Sequence, residues 1–455
     1  MTTEKRRRAA ALLSLCLLFG GCAGENGPAE PAETSAGSEI GTAAETEGET
    51  KMETEVPREE TTAERAARMR KELWDAYCER ERQNEERKAE DEKKAIRYGD
   101  VTMKYGLKTV GKPDENGLYP LYIALHGGGS DETGKINDSQ WQMMAEYYLE
   151  GVKNGVYVNP RAVRDTWDCH SNPESYPLYD RLIENMILFH SVDPNRVYIL
   201  GFSAGGDGVY QITPRMTDRF AAANMSAGHP NGVKLENLYD MPLQLQVGIE
   251  DAAYNRNKVT AEYDLLLGKL HNKYGGGYEH RTNIHTGHAH NFADYDDKEH
   301  EVVEDPNTFF KRGEYTTVKR VTSALRFLDQ YTREPLPEKI VWNLAVRADK
   351  RETESFYWLS APKKLTKGII TAVCDRETNT VTVTTDGQVG GDFDILLSAA
   401  MLDFDRPVTV TVDGETREIT PAIRQEIMEE TLEDRGDPSY IFEDRISTGE
   451  IKNGN

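Results

Sequence analysis

The stretch Arg196–Tyr210, RVYILGFSAGGDGVY, decides how the rest of the chain is read. Val197 to Leu200 form a short apolar run of the kind a buried strand needs, and small residues follow at once. Ser203 stands between Gly201 and Gly205 in G-x-S-x-G spacing. In that pattern a strand ends in a tight turn that exposes a serine at the start of a helix, whose free amides point at the same place. The competing reading is a small-residue turn that happens to contain a serine. What lies around the stretch has to decide between them.

Upstream, LYPLYIALHGGG (118–129) reads as a strand running into a glycine loop. A backbone amide reaches to about 3 Å from a developing oxyanion most easily where no side chain intervenes. Gly127 and Gly128, with Ala204 just after the serine, are the candidate donors. A serine hydroxyl also needs a base, and the base an orienting carboxylate. After the strand-like PLQLQVG comes IEDAAYN, where Asp251 is the candidate acid and Glu250 its neighbouring alternative. NIHTGHAHNF offers His285, His288 and His290; His290 is the first candidate base and His288 the alternative. His285, still on its strand, joins His126, Trp167 and His229 as candidate substrate-lining residues. Asp168, His170, Asp207 and Tyr254 are read as packing or loop residues. The histidine-rich loop lacks H-E-x-x-H spacing, so no metal is expected, and serine chemistry of this kind calls for no cofactor.

Between residues 98 and 335 strand-like runs alternate with helix-like ones. That alternation predicts an α/β fold, a mostly parallel sheet covered by helices on both faces. Beyond the Pro-rich REPLPEK, residues 336–455 hold short β-type runs separated by turn signals, a helical segment and a closing strand. They predict a smaller β-rich domain. The aromatic residues of SFYWLSA read as core there, although they would also suit a polysaccharide. Ahead of the α/β region, TTAE at Thr61–Glu64 has capping-box spacing and opens a charged helix over 61–97, expected to be solvated.

The N-terminus carries Lys5 and Arg6 to Arg8, an apolar run too short to span a bilayer, and GGC ending at Cys22. LFGGC resembles the lipobox of bacterial lipoproteins. The resemblance implies a signal peptide over 1–21, a lipid on Cys22, and an extracytoplasmic, membrane-anchored protein. Residues 22–60, rich in Glu, Thr, Ala, Gly and Pro, are expected to be an acidic tether. Cys78, Cys169 and Cys374 are too widely spaced for a disulfide framework or a zinc pattern. With 78 acidic against 55 basic residues the chain carries a net charge of −23, which repels phosphate backbones and argues against nucleic acid as a partner.

In RVYILGFSAGGDGVYQ, SAGHPN, VGIEDAAYN and IHTGHAHNF, within residues 96–335, the chain resembles the α/β-hydrolase superfamily. The likeness is to its secreted esterase branch, with polyhydroxybutyrate depolymerase-like and feruloyl or acetylxylan esterase-like enzymes. The order Ser203, Asp251, His290 matches that superfamily's order of nucleophile, acid and base. The resemblance implies hydrolysis of an ester, on a small molecule or a polymer, through an acyl-enzyme. A prolyl-oligopeptidase-type peptidase shares fold and triad order, and a non-catalytic envelope binding protein on the same fold is the rival outside enzymes. The sequence leaves oligomeric state open.

Overall fold

A computed structural model describes residues 59–453 except 349 and 352, so the expected signal, Cys22 and almost all of the tether lie outside the described residues. The α/β region is built on a ten-stranded sheet ordered β1-β2-β4-β3-β5-β6-β7-β8-β9-β10. The strands are β1 Ala95–Tyr98, β2 Val101–Val110, β3 Tyr119–Leu125, β4 Gly155–Pro160, β5 Val192–Phe202, β6 Ala222–Ser226, β7 Leu243–Gly248, β8 His280–His285, β9 Glu299–Val303 and β10 Thr317–Val321. Neighbouring strands from β4 to β8 run parallel, while β1, β2, β9 and β10 pair antiparallel at the two edges. The composition follows the pairing: β4, β6 and β7 are buried along their whole length, whereas the early part of β2 alternates buried and exposed.

The helices in order are α1 Thr62–Gln83, α2 Glu85–Lys93, α3 Lys135–Tyr147, α4 Ser175–His190, α5 Ala204–Ile212, α6 Arg256–Tyr274, α7 Pro306–Arg312 and α8 Ala324–Leu328. Period-two alternation sends Leu121, Ile123 and Leu125 of β3 into a core shared with α4, α5 and α6. It sends Tyr122 and Ala124 into a second core under α3 and α8. The parallel strands therefore end together on one edge, where their loops meet.

The expectation of one solvated helix over 61–97 needs correction. The Thr61–Glu64 capping box forms, but the helical segment is broken at Asn84, whose side chain caps α2. It is not a solvated helix either. Tyr77 and Cys78 pack against Leu188, Met428, Leu432 and Ile441, and the buried Arg87 reaches Glu184 at 2.7 Å. Arg87, Glu90 and Asp91 find partners on α4, which composition alone does not reveal, while most charges of α1 face water as expected. Residues 95–97, read as the end of the helix, join Tyr98 in the first edge strand.

The C-terminal segment holds two further sheets. One is β11-β14-β15-β17-β18, from Lys339–Asn343, Ile369–Asp375, Thr380–Thr385, Val408–Val412 and Glu415–Ile419. The other is β12-β13-β16-β19, from Ser355–Phe356, Leu359–Ser360, Asp394–Leu397 and Asp444–Ser447. They share a core in which Phe356, Tyr357 and Trp358 are buried, together with Trp342. From Glu59 onward the chain is nevertheless one compact unit.

Beside the apolar contact of Leu188 with Met428, Leu432 and Ile441, the seam between the α/β region and this segment holds a buried ionic network. Arg219 and Asp218, just before β6, and Asp180 on α4 face Arg351, Arg435 and Asp437 from the C-terminal segment. Arg435 Nη2 lies 2.7 Å from Asp218 Oδ2, Arg219 Nε 2.7 Å from Asp180 Oδ1, and Arg351 Nη2 3.2 Å from Asp180 Oδ2. Arg333 meets Asp437 at 2.9 Å. Burial alone would raise the Asp218 carboxyl, but Arg435 and Arg351 hold it down at about 2. Breaking a buried pair from one side strands the other charge. Asp218→Ala should therefore lower the unfolding free energy by about 3–5 kcal/mol, read as a shifted denaturant midpoint. A midpoint equal to that of the parent would show that the seam contributes nothing.

Candidate active site

β5 ends at Phe202 and α5 begins at Ala204, so Ser203 is the whole of the turn between them. Its backbone sits at φ 60°, ψ −121°, a region costly for a residue with a Cβ, of order 1–3 kcal/mol. The turn persists because its surroundings over-determine it. A Cβ on Gly205 would stand 2.1 Å from the Leu125 carbonyl oxygen, and one on Gly201 would stand 2.4 Å from that of Gly205. Only glycine lets the start of α5 press onto the end of β3. The Ser203 amide donates to the Ser226 carbonyl at 2.9 Å, locking the turn to β6.

His290 and Asp251 arrive from the loops after β8 and β7. His290 Nδ1 is 2.7 Å from Asp251 Oδ2, and His290 Nε2 is 3.0 Å from Ser203 Oγ. The carboxylate can only accept, so Nδ1 carries the proton and Nε2 is free to accept from the serine hydroxyl. Asp251 is 3% exposed and also faces Arg256 at 3.4 Å. Close approach again needs glycine: a Cβ on Gly248 would lie 1.9 Å from the Ala289 carbonyl. The structure brings His290, and not His288, to the serine; the His288 ring donates to the Asn291 carbonyl at 3.1 Å. Glu250 lies beside Asp251, and its backbone amide donates to the His288 carbonyl at 2.9 Å.

The glycine loop after β3 passes directly over Ser203, with the ideal Cβ position of Gly127 3.5 Å from the serine Cβ. Among the described residues no protein group accepts from the amides of Gly127, Gly128 or Ala204. Asn137 of α3 pins the loop by accepting from the Gly129 amide at 2.9 Å and donating to its carbonyl at 2.8 Å. His126 and His170 pin it from below. The Ala162 amide donates to His126 Nε2 at 3.1 Å, so Nδ1–H donates to the Gly127 carbonyl at 2.6 Å. His170 Nε2–H donates to the His126 carbonyl at 2.9 Å. Burial pushes the His126 pKa down to about 4 and that of His170 well below its ordinary value, so both are neutral supports.

Beside Ala204 a cavity of about 420 Å³ opens, with Trp167, Asp168, Asp207, Gln211, Arg215 and Lys350 among its walls. Lys350 comes from the C-terminal segment and donates to the Ser171 carbonyl at 2.9 Å. Trp167, mostly exposed, borders the cavity, and the exposed Tyr254 ring meets it with centroids 6.4 Å apart. Asp207 is half-buried at the cavity wall, and desolvation raises its carboxyl against the His229 amide that donates to it at 2.6 Å.

Of the candidate lining residues, Trp167 borders this cavity. His126 and His285 are fully buried and do not border this cavity: the first supports the glycine loop and the second stacks on Phe292 at 4.4 Å. His229 lies beside the cavity without bordering it, its ring turned onto Asn231. Asn137 and the loop-pinning role of His170 escaped the sequence reading, because α3 carries no strong apolar period and nothing near His170 marks its partner. Among the described residues no cluster of His, Cys, Asp or Glu converges as a metal site, and no helix is long and apolar enough to cross a membrane.

No family model matches the sequence. The chain is 30% identical over 114 residues to a bifunctional acetylxylan esterase/xylanase of Neocallimastix patriciarum, a match covering 25% of this chain and 16% of that protein. Among solved structures it is similar to a thermostable esterase, with TM-score 0.35, 19% identity, and coverage of 52% of this chain and 62% of the other. It is also similar to LpqC, a poly(3-hydroxybutyrate) depolymerase from Bordetella parapertussis, with TM-score 0.34, 14% identity, and coverage of 50% and 87%.

Burial first, then His300 and His288, push the His285 pKa down to about 3. A histidine kept neutral in the folded state, but titrating at its ordinary value when unfolded, contributes stability that is full above about pH 6.5. That stability is lost as pH falls toward the folded value. His285→Gln should therefore flatten the dependence of unfolding free energy between about pH 6 and 4 by about 1.4 kcal/mol per unit. Urea titrations at successive pH values measure the slope, and comparing the two proteins cancels the carboxylates that titrate in the same range. Identical slopes would mean that His285 protonates in the folded protein.

The strand order of the large sheet, the serine turn after β5 and the succession Ser203, Asp251, His290 at its C-terminal edge give this chain the α/β-hydrolase fold.

Proposed function

We propose that the protein is a serine hydrolase of carboxylic esters, with Ser203 as nucleophile, His290 as base and Asp251 as the acid that orients it. The observation that carries the reading is the unbroken pair of contacts from Asp251 Oδ2 through His290 to Ser203 Oγ, at 2.7 and 3.0 Å, beneath unpartnered backbone amides. In the reaction the Ser203 oxygen attacks the ester carbonyl carbon while His290 Nε2 takes its proton. The carbonyl oxygen becomes an oxyanion, for which the amides of Ala204, Gly127 and Gly128 are the donors; one such donor is typically worth about 100- to 1,000-fold in rate. His290 then returns the proton to the departing alcohol, leaving an acyl-enzyme. Water, deprotonated by the same nitrogen, releases the acid and restores the serine. The cavity beside Ala204 sets the polar side chains of Asp168, Asp207, Gln211 and Lys350 among apolar surface and the Trp167 ring, which suits an ester whose alcohol or acid part carries hydroxyls.

A fluorophosphonate probe on the purified protein tests the assignment: Ser203→Ala should not label, and His290→Ala should lose several orders of magnitude in kcat/KM while His288→Ala stays within a few-fold. Equal labelling of the parent and Ser203→Ala would remove the nucleophile. Acetyl, feruloyl and hydroxybutyrate esters assayed beside peptide amides separate the esterase from the peptidase reading; turnover of amides alone would favour the latter.

The proposal includes a lipid anchor on Cys22, supported by the basic, apolar and small-residue succession before it. Cys22→Ser should move the protein from the membrane to the soluble fraction of cells expressing the full chain and abolish incorporation of labelled fatty acid. An unchanged distribution and label would exclude the anchor.

A further inference from the structure

Four residues after His290 the chain buries a carboxylate that the reaction does not use. Asp294 is fully buried, and among the described residues it has no cationic partner. Its oxygens instead accept from three hydroxyls: Tyr148 at 2.7 Å, Tyr147 at 3.0 Å, and Ser226. An isolated buried carboxylate is among the costlier groups a core can hold, and a loop needing only to be packed would be held by apolar side chains. Burial pushes this carboxyl above its ordinary range, with the hydroxyls of Ser226, Tyr148 and Tyr147 opposing the shift.

Each of its contacts leads to the proposed catalytic residues. Through Ser226 it grips the residue whose carbonyl accepts the Ser203 amide at 2.9 Å. Through its own backbone it sits in the loop that carries His290, where its carbonyl accepts from the Ala324 amide at 2.7 Å. Tyr147, which also donates to the Phe292 carbonyl at 3.4 Å, ties the same loop to the end of α3. Phe292 packs on Phe202, the residue before the serine, at 5.3 Å between centroids, and Phe202 meets the His290 ring at 5.7 Å. The network continues across the sheet. Asn224 donates to the Ser226 hydroxyl at 3.0 Å, Gln246 to Asn224 at 2.9 Å, and His285 to Gln246 at 3.0 Å.

We propose that Asp294 is a positioning residue for both Ser203 and His290, clamping the loop of the base to the strand that holds the turn of the nucleophile. The proposal rests on the serine-esterase reading above. It sets the 3.0 Å contact between Ser203 and His290 as the quantity that Asp294 controls.

The test uses the full chain with p-nitrophenyl acetate as substrate, and reads kcat, KM, fluorophosphonate labelling rate and thermal midpoint for Asp294→Asn, Asp294→Ala, Tyr147→Phe and Ser203→Ala. A misplacement of about 1 Å costs about 100-fold in rate, so Asp294→Ala should lose about that much in kcat with KM within about two-fold. Asp294→Asn keeps an acceptor oxygen and should recover part of the loss. Tyr147→Phe leaves the carboxylate in place and removes a single donor; it should fold as the parent does and lose about three- to ten-fold in kcat and labelling rate, a smaller share of the same misplacement cost. Parental kcat in Tyr147→Phe or in a folded Asp294→Asn, beside an inactive Ser203→Ala, would overturn this proposal alone. Parental turnover in Ser203→Ala would overturn the serine reading and this proposal with it.

Discussion

Everything at the site follows from one close approach, that of Gly205 to the carbonyl of Leu125. The contact leaves no room for a Cβ, and it brings the first turn of α5 against the end of β3. That fixes three things together. Ser203 is held at positive φ, the amide of Ala204 is left at the head of a helix without an acceptor, and the glycine loop after β3 is brought over the serine. The strain at Ser203 is sustained by neighbours on two strands, β3 through Leu125 and β6 through the Ser226 carbonyl. A turn held from two sides cannot relax by moving away from either.

Much of this was legible in the sequence, for a physical reason. Parallel strands buried on both faces must be nearly continuous apolar runs, so YIAL, VYIL and the runs after them announce themselves, and the loops that follow them must share an edge. Ser203 and Asp251 are legible because each follows such a run. His290 was less so, since His288 has the same chemistry two residues away, and the loop that packs its Ala289 and His288 carbonyls on Gly248 is where the two rings part. Asn137, His170 and Asp294 were not legible. Each acts by hydrogen bonding to a residue distant in the chain, and a polar residue read alone looks like a loop residue whether its partner is water or a buried amide. The solvated helix failed in the same way: Arg87 and Glu90 look like surface charges until α4 supplies their partners.

The C-terminal segment extends that point from residues to domains. Its core of Trp342, Trp358 and the surrounding β-strands is distinct from the cores of the α/β region, as a separate fold would have. Its seam is another matter. Buried arginines and aspartates alternate across it, and a seam of that kind cannot open without exposing charges that have lost their partners. Apolar surfaces would have allowed many docked orientations, whereas paired charges with fixed geometry allow few. Lys350, which reaches the cavity beside Ala204, therefore keeps its place relative to Ser203 through the seam.

The large sheet is chemically two-faced just where the site is built. On β7, Leu243, Leu245 and Val247 enter apolar cores while Gln244 and Gln246 point the other way. The register sets Ser226 beside Gln246, and Gln246 beside Asn283. A slip of one residue in β7 would bury both glutamines among leucines and strand the Asn224 amide oxygen and the His285 ring N–H. The polar face thus specifies register more sharply than the apolar face, where one branched side chain substitutes for another at modest cost. Because Ser203, Asp251 and His290 each follow a strand of this sheet, an error of one residue in register would shift one of them by about 3.3 Å, more than its contacts can absorb. Asp294 stands at the end of the same chain of polar groups. The network that fixes the strands is therefore continuous with the one that fixes the loops, and the geometry of the site is set by the sheet rather than by the loops that carry it.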